Sequence, residues 1–293
     1  MKTAASASRL YWVSQMCHWL AGRRSGARNA RIATALAGCL IASTAMAAPT
    51  YYVAMSGSDH NAGSKARPFR TIQRAVDNTK GAAKILIRSG IYFETVDIHT
   101  SGSAASGYLT IRNYGSEKVI VDGAGQRIET GQGGLFTITN QSYVRIRGLE
   151  LQNFRSTTTA VPMGISVSGR GEHIQIIGNH IHHIETRYPG CDGNALGIGI
   201  YGDNARESLS AIEISHNELD HLATGCSESM SLNGNVDNFL IANNKIHDTN
   251  NIGIDIIGFE GTSGDPATDQ ARNGVIRGNT LYNISSYGNS AYG

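Results

Sequence analysis

Four short segments that end in glycine carry residues able to do chemistry: GISVSG (164 to 169), GIGIYG (197 to 202), SMSLNG (229 to 234) and GIDIIG (253 to 258). Aligned, they put Ser166, Gly199, Ser231 and Asp255 in one column and Ser168, Tyr201, Asn233 and Ile257 in the next. Side chains alternate along a strand, so both columns belong to one outward face. Asp255 is the lone charge in these columns, and Glu260 follows it in a loop. A carboxylate among small polar neighbours is a candidate catalytic or cation-holding group, with Asn233, Tyr201 and Glu260 as the candidate sugar-binding groups around it. The alternative for Asp255 is a solvated strand residue.

A second set of columns holds His182, Asp220, His247 and Tyr282, with His183, His221, Asp248 and Asn283 beside them. Imidazole titrates near neutral pH. This set therefore offers a general base, for which His221 and His247 are the candidates, or nitrogen ligands for a transition metal. A purely local role is the alternative, because turns favour His, Asp and Asn for hydrogen bonding to the backbone.

The elements that must position these residues follow from one repeated pattern: two apolar residues at period two, a pair of spacers, usually an asparagine, then another apolar residue. Copies run from Val144 to Leu151, Ile174 to Ile181, Ile212 to Leu219, Phe239 to Ile246 and Gly274 to Leu281. Period two means strand, and the fixed offset means each copy turns the same corner. Spacings between copies vary while the strands do not, so the variation sits in loops. A solenoid of stacked coils, a parallel β-helix, accounts for this, since a single coil cannot bury its own apolar face. Asn179, Asn217, Asn244 and Asn279 are then expected to stack as an internal ladder at the corner. Ahead of the repeats, Phe69, Ile72, Ala75 and Val76 mark one face of a short helix that Gly81 can end and that covers the edge of the first coil. The chain ends at Tyr292-Gly293, where another glycine-ended strand is due, so further coils are expected beyond this sequence.

The segments SGSDHNAG (56 to 63), ARPFRTIQRAV (66 to 76) and ILIRSGIYFE (85 to 94) resemble the N-terminal signature of secreted right-handed β-helix proteins related to the family 9 polysaccharide lyases. With the repeats, the resemblance spans nearly all of residues 48 to 293. It implies an all-β, right-handed parallel β-helix of the pectate lyase type acting on a uronate-containing polysaccharide. In such lyases acidic residues bind calcium and a lysine removes the proton next to the uronate carboxylate. Glu228 and Asp255 fall where the resemblance expects calcium ligands. Asn233 falls where it expects the lysine, and an amide cannot serve as a base. Epimerisation, hydrolysis by paired carboxylates and glycan binding without catalysis remain open beside lyase chemistry.

Residues 1 to 47 read as a signal peptide: Arg23, Arg24, Arg28 and Arg31 precede an apolar run from Ile32 to Ala42 and the triplet Ala45-Met46-Ala47. Leu36-Ala37-Gly38-Cys39 also fits a lipoprotein anchor. A secreted or periplasmic monomer is expected. Removing this segment leaves 19 basic against 23 acidic residues, a net charge of −4. That balance argues against nucleic acid as a partner. Beyond residue 47 no apolar run reaches the roughly 20 residues of a membrane span. Cys191 and Cys226 are left in an oxidising compartment, either as a disulfide or as two separate buried thiols.

Overall fold

The computed structural model describes residues 48–285 except Glu129. The expected signal segment, residues 1 to 47, and the expected anchor position Cys39 lie outside these residues. Among them, successive coils contribute strands to three parallel sheets. The first sheet runs through Thr50–Val53, Ala83–Ile87, Leu109–Asn113, Val144–Arg147, Ile174–Ile177, Leu209–Ser215, Val236–Ala242 and Val275–Arg277. The second runs from Gly90–Tyr92 through Val119–Asp122, Glu150–Ser156, His180–Thr186, Glu218–Asp220 and Lys245–His247 to Thr280–Tyr282. The third contains Val96–Ile98, Gln132–Thr139, Val161–Ser168, Leu196–Gly202, Glu228–Gly234 and Ile252–Ile256. This is the expected parallel β-helix.

Strand register stacks like on like. Ile85, Ile111, Ile146, Ile176, Ile214 and Ile241 form one inward column of the first sheet, all fully buried. Val121, Leu151, Ile181, Leu219 and Ile246 form its counterpart in the second. β-Branched side chains suit a pleated surface, and each fully buried aliphatic contributes about 1.5–3 kcal/mol. The core is therefore a set of apolar ladders running along the helix axis.

At the corner between the first and second sheets the asparagine ladder is present. Asn179, Asn217 and Asn244 each accept, at their side-chain carbonyl, the backbone N–H of the corner residue one coil earlier at 2.9–3.1 Å. Asn279 continues the series to Asn244 at 2.9 Å. The residues just before the corner, Gly148, Gly178, His216, Asn243 and Gly278, all have positive φ, which sets the sharp bend.

The helix spans Ile72–Asp77, with Thr71 as N-cap. Ile72, Ala75 and Val76 are its buried face, and it packs on the first strands of the first and third sheets. Two details differ from the sequence expectation. Phe69 is buried but precedes the helix, and Asn78, not Gly81, caps the C-terminus: its N–H bonds the Arg74 carbonyl, and the N–H of Thr79 bonds that of Val76.

Candidate functional site

Asp255 stands next to Ser231 in the third sheet, and Ser231 next to Gly199 and Ser166, as the alignment of the glycine-ended strands requires. Ser168, Tyr201 and Asn233 form the adjoining column. These columns face away from the core, yet Ser166, Ser231 and Asn233 are buried. Local packing covers them: a side chain at Gly199 would meet Met163 Sδ at 2.7 Å and the Tyr201 ring at 2.8 Å, so glycine there lets both lie over the sheet. The loop after Asp255 completes the cover. Asn233 donates its side-chain amide to Glu260 at 2.9 Å and accepts the Thr262 hydroxyl at 2.8 Å. Asp269 holds this loop in shape by accepting the backbone N–H groups of Gly261 and Ser263.

Glu228 opens the strand that carries Ser231 and Asn233. Burial, with Asp255 and then Glu260 adding their negative charge, pushes its carboxyl up to about 7. Burial and the charge of Glu228 likewise raise the Tyr201 phenol. Glu228, Asp255, Glu260, Asn233 and Tyr201 therefore act on one another as a single site. The Ser231 hydroxyl is fully buried among them, beside the Tyr201 phenol on which it acts.

These donors are carboxylate, amide, phenol and hydroxyl oxygens, with no nitrogen or sulfur ligand in the set. Hard oxygen donors and mutually repelling carboxylates suit calcium, which takes six to eight oxygen ligands. Glu228 and Asp255 would hold it, and the buried Ser231 hydroxyl lies next to Asp255 in register. When bound, the cation would neutralise an acidic group on a ligand.

His221 and His247 belong elsewhere. Their columns register as expected, His182 beside Asp220, Asp220 beside His247 and His247 beside Tyr282, but on the second sheet. His221 hydrogen-bonds Asp220 through Nδ1 and stacks on His183 at 5.3 Å. His247 bonds Asp248 at 2.7 Å and Glu218 at 3.0 Å and stacks on Tyr282 at 4.8 Å. Burial lowers the His247 imidazole, but these two carboxylate bonds outweigh that and raise it. His183, His221, Asp248 and Asn283 all adopt positive φ. The residue types that tolerate this conformation are Asn, Asp and His, which accounts for the second column in local terms.

Cys191 and Cys226 form a disulfide with Cα atoms 5.0 Å apart. It ties the loop before Leu196–Gly202 to the loop before Glu228, so the approach to Glu228 is fixed covalently.

Sequence reasoning passed over Phe259. This ring is 70% exposed, adjoins Glu260 and sits at a φ of +67°. An exposed aromatic in a conformation that bulky residues avoid marks a functional surface more than a packing one. Its signal in the sequence was an apolar residue placed after the glycine that ends the strand.

A model of the Pel9A-like right-handed β-helix region matches residues 51–226. The chain belongs to this Pel9A-like family. Uncharacterized protein YwoF of Bacillus subtilis is 41% identical over 224 residues, covering 76% of this chain and 46% of YwoF. Pectate lyase PEL9 of Emericella nidulans is 32% identical over 120 residues, covering 37% of this chain and 29% of the lyase. The chain thus spans half or less of the length of these curated relatives. Among solved structures, the GH136 lacto-N-biosidase of Eubacterium ramulus superimposes with a TM-score of 0.56 at 12% identity, covering 81% of this chain and 52% of the other. That likeness is one of fold. The Pel9A-like match stops at residue 226, just ahead of Glu228 and Asp255. Among the described residues no helix is long and apolar enough to cross a membrane.

Proposed function

We propose that this protein is an exported, carbohydrate-active β-helix that engages a uronate-containing polysaccharide on its third sheet, with calcium held by Glu228 and Asp255. The observation that carries the reading is the gathering of Glu228, Asp255 and Glu260 on one face, with Asp255 in register beside Ser231 and Glu260 tied to Asn233 at 2.9 Å, where burial and mutual repulsion push Glu228 up to about 7. Such a site is short of positive charge, and a cation shared with a ligand carboxylate relieves both. Glu260 and Tyr201 line the sugar-binding surface, with the buried Asn233 fastening Glu260 from beneath, and Phe259 offers an apolar face on which a sugar ring can stack. A cleft of about 700 Å³ lies at the loops between the second and third sheets of earlier coils and is lined by Arg127 and Arg155. Arg155 is paired with the buried Glu185 at 3.0 Å, which leaves the exposed Arg127 to meet a further acidic sugar along the same edge. Pairing with pectate lyase PEL9 supports this substrate class, and the disulfide supports export.

Because Asn233 cannot take a proton, β-elimination here requires another base. His221 and His247 remain candidates by chemistry but are set on the second sheet. A second reading, hydrolysis by paired carboxylates, is favoured by Glu228 itself: a carboxyl raised to about 7 beside Asp255 has the character of a general acid.

Absorbance at 235 nm, with pectate, alginate and glycosaminoglycans in turn and with or without calcium, tests the proposal. A calcium-dependent rise lost in Asp255→Ala supports lyase action. Reducing ends released without the rise support hydrolysis. Neither signal, together with no binding of any of these glycans, overturns the proposal.

A further inference from the structure

Behind the corner, on the outer face of the second sheet, a different group of side chains converges. We propose that Glu150, His180 and His182 form a binding site for a first-row divalent cation of the zinc class, bridging two successive coils. Each of the three places a ligand atom within 4.8 Å of the others. Glu150 faces His180 across adjacent strands in register, and His182 follows two residues later on the same outward face. Glu150 Oε1 lies 3.4 Å from His182 Nε2. Two imidazoles and one carboxylate are the donor set that zinc, nickel and copper prefer over calcium.

The surroundings are those of a ligand set held in place. Asp220, one coil further on, sits 2.6 Å from His180 Nε2, the arrangement by which a carboxylate fixes a metal-binding imidazole. His182 is mostly buried, with its Nδ1 2.6 Å from His183 Nδ1, which orients the ring. Lys118 pairs with the other oxygen of Glu150 at 2.8 Å and so leaves Oε1 to the site. A second cluster, Glu218, Asp220 and His247, is less suited. Both ring nitrogens of His247 already meet carboxylates, and Lys245 is bonded to Glu218 at 2.8 Å.

A cation here would clamp the coil of Glu150 to that of His180, away from the acid-lined face. The test uses the full chain without a polyhistidine tag, stripped with EDTA and dialysed against zinc chloride. About one zinc per chain is expected, with a rise in Tm. Affinity should fall about tenfold or more in His182→Ala and in Glu150→Gln, which preserves shape, and stay unchanged in His216→Ala and Asp255→Asn. Circular dichroism of each variant confirms that it is folded. No bound zinc, or zinc retained in the His180→Ala/His182→Ala double variant, overturns the proposal. Loss in Glu218→Gln with retention in Glu150→Gln overturns it as well, by moving the site to the second cluster.

Discussion

The side-chain amide of Asn233 bonds Glu260 across 2.9 Å while its carbonyl accepts from Thr262 across 2.8 Å. One buried residue thus fastens the loop 259–271 to the strand that carries Ser231. At the position where the resemblance to lyases expects a lysine base, this chain has a structural tie.

Replacing Asn233 by alanine should therefore release the loop. Losing two hydrogen bonds, one of them to a carboxylate, is expected to cost about 1–3 kcal/mol. Urea denaturation measures the loss, and limited proteolysis should show faster cleavage within residues 259–271. A variant as stable and as resistant as wild type would contradict the assignment.

Phe259 should behave in the opposite way. Its exposure and positive φ mean that Phe259→Gly relieves backbone strain and costs little or no stability, whereas Phe259→Ala removes the stacking face. Either change should weaken glycan binding by roughly 1 kcal/mol, about fivefold in Kd. Unchanged glycan affinity in both variants would remove Phe259 from the binding surface.

Glu228 makes stability depend on pH. Folding raises its carboxyl from an ordinary 4.5 to about 7, so the folded chain binds this proton more tightly than the unfolded chain. The contribution favours folding at low pH and is lost as pH rises from about 4.5 through about 7. Glu228→Gln should thus melt higher than wild type at pH 8 with no such gain at pH 4, and calcium should narrow the difference at pH 8. An equal difference at both pH values would contradict the cause given.

The asparagine ladder offers a stability test remote from the site. Asn217 accepts the backbone N–H of Asn179 at 3.0 Å and donates to Ile176 C=O at 2.9 Å, both in the interior. Asn217→Ala strands these groups and should cost about 2 kcal/mol or more. A loss below about 0.5 kcal/mol, within the range of ordinary surface substitutions, would show that water or a backbone shift replaces the amide.

The solenoid was legible because stacking forces each coil to repeat the same apolar spacing. Ile146, Ile176, Ile214 and Ile241 announce the core column, and Asn179, Asn217 and Asn244 announce the corner. The same periodicity placed Ser231 beside Asp255 and Asp220 beside His247 correctly. What it could not give was which sheet faces which loop. His221 and His247 read as candidate bases in a second set of columns, and the chain's path places that set on a separate sheet from Asp255. Glu150, His180 and Glu218 were readable as the column two residues before His182 and Asp220, but the loops drew attention to the later positions. Glu228, Phe259 and Glu260 depend on loops of irregular length, where no repeat fixes position. Their interaction follows from burial and charge in three dimensions.

The most direct test of the account is a calorimetric titration of the chain with calcium chloride, comparing wild type with Asp255→Asn and Glu228→Gln. The account predicts calcium binding by the wild type that weakens at least about tenfold in each variant, each removed ligand charge costing about 1.4 kcal/mol or more. Absence of calcium binding, or the same affinity in a chain carrying both substitutions, would contradict it.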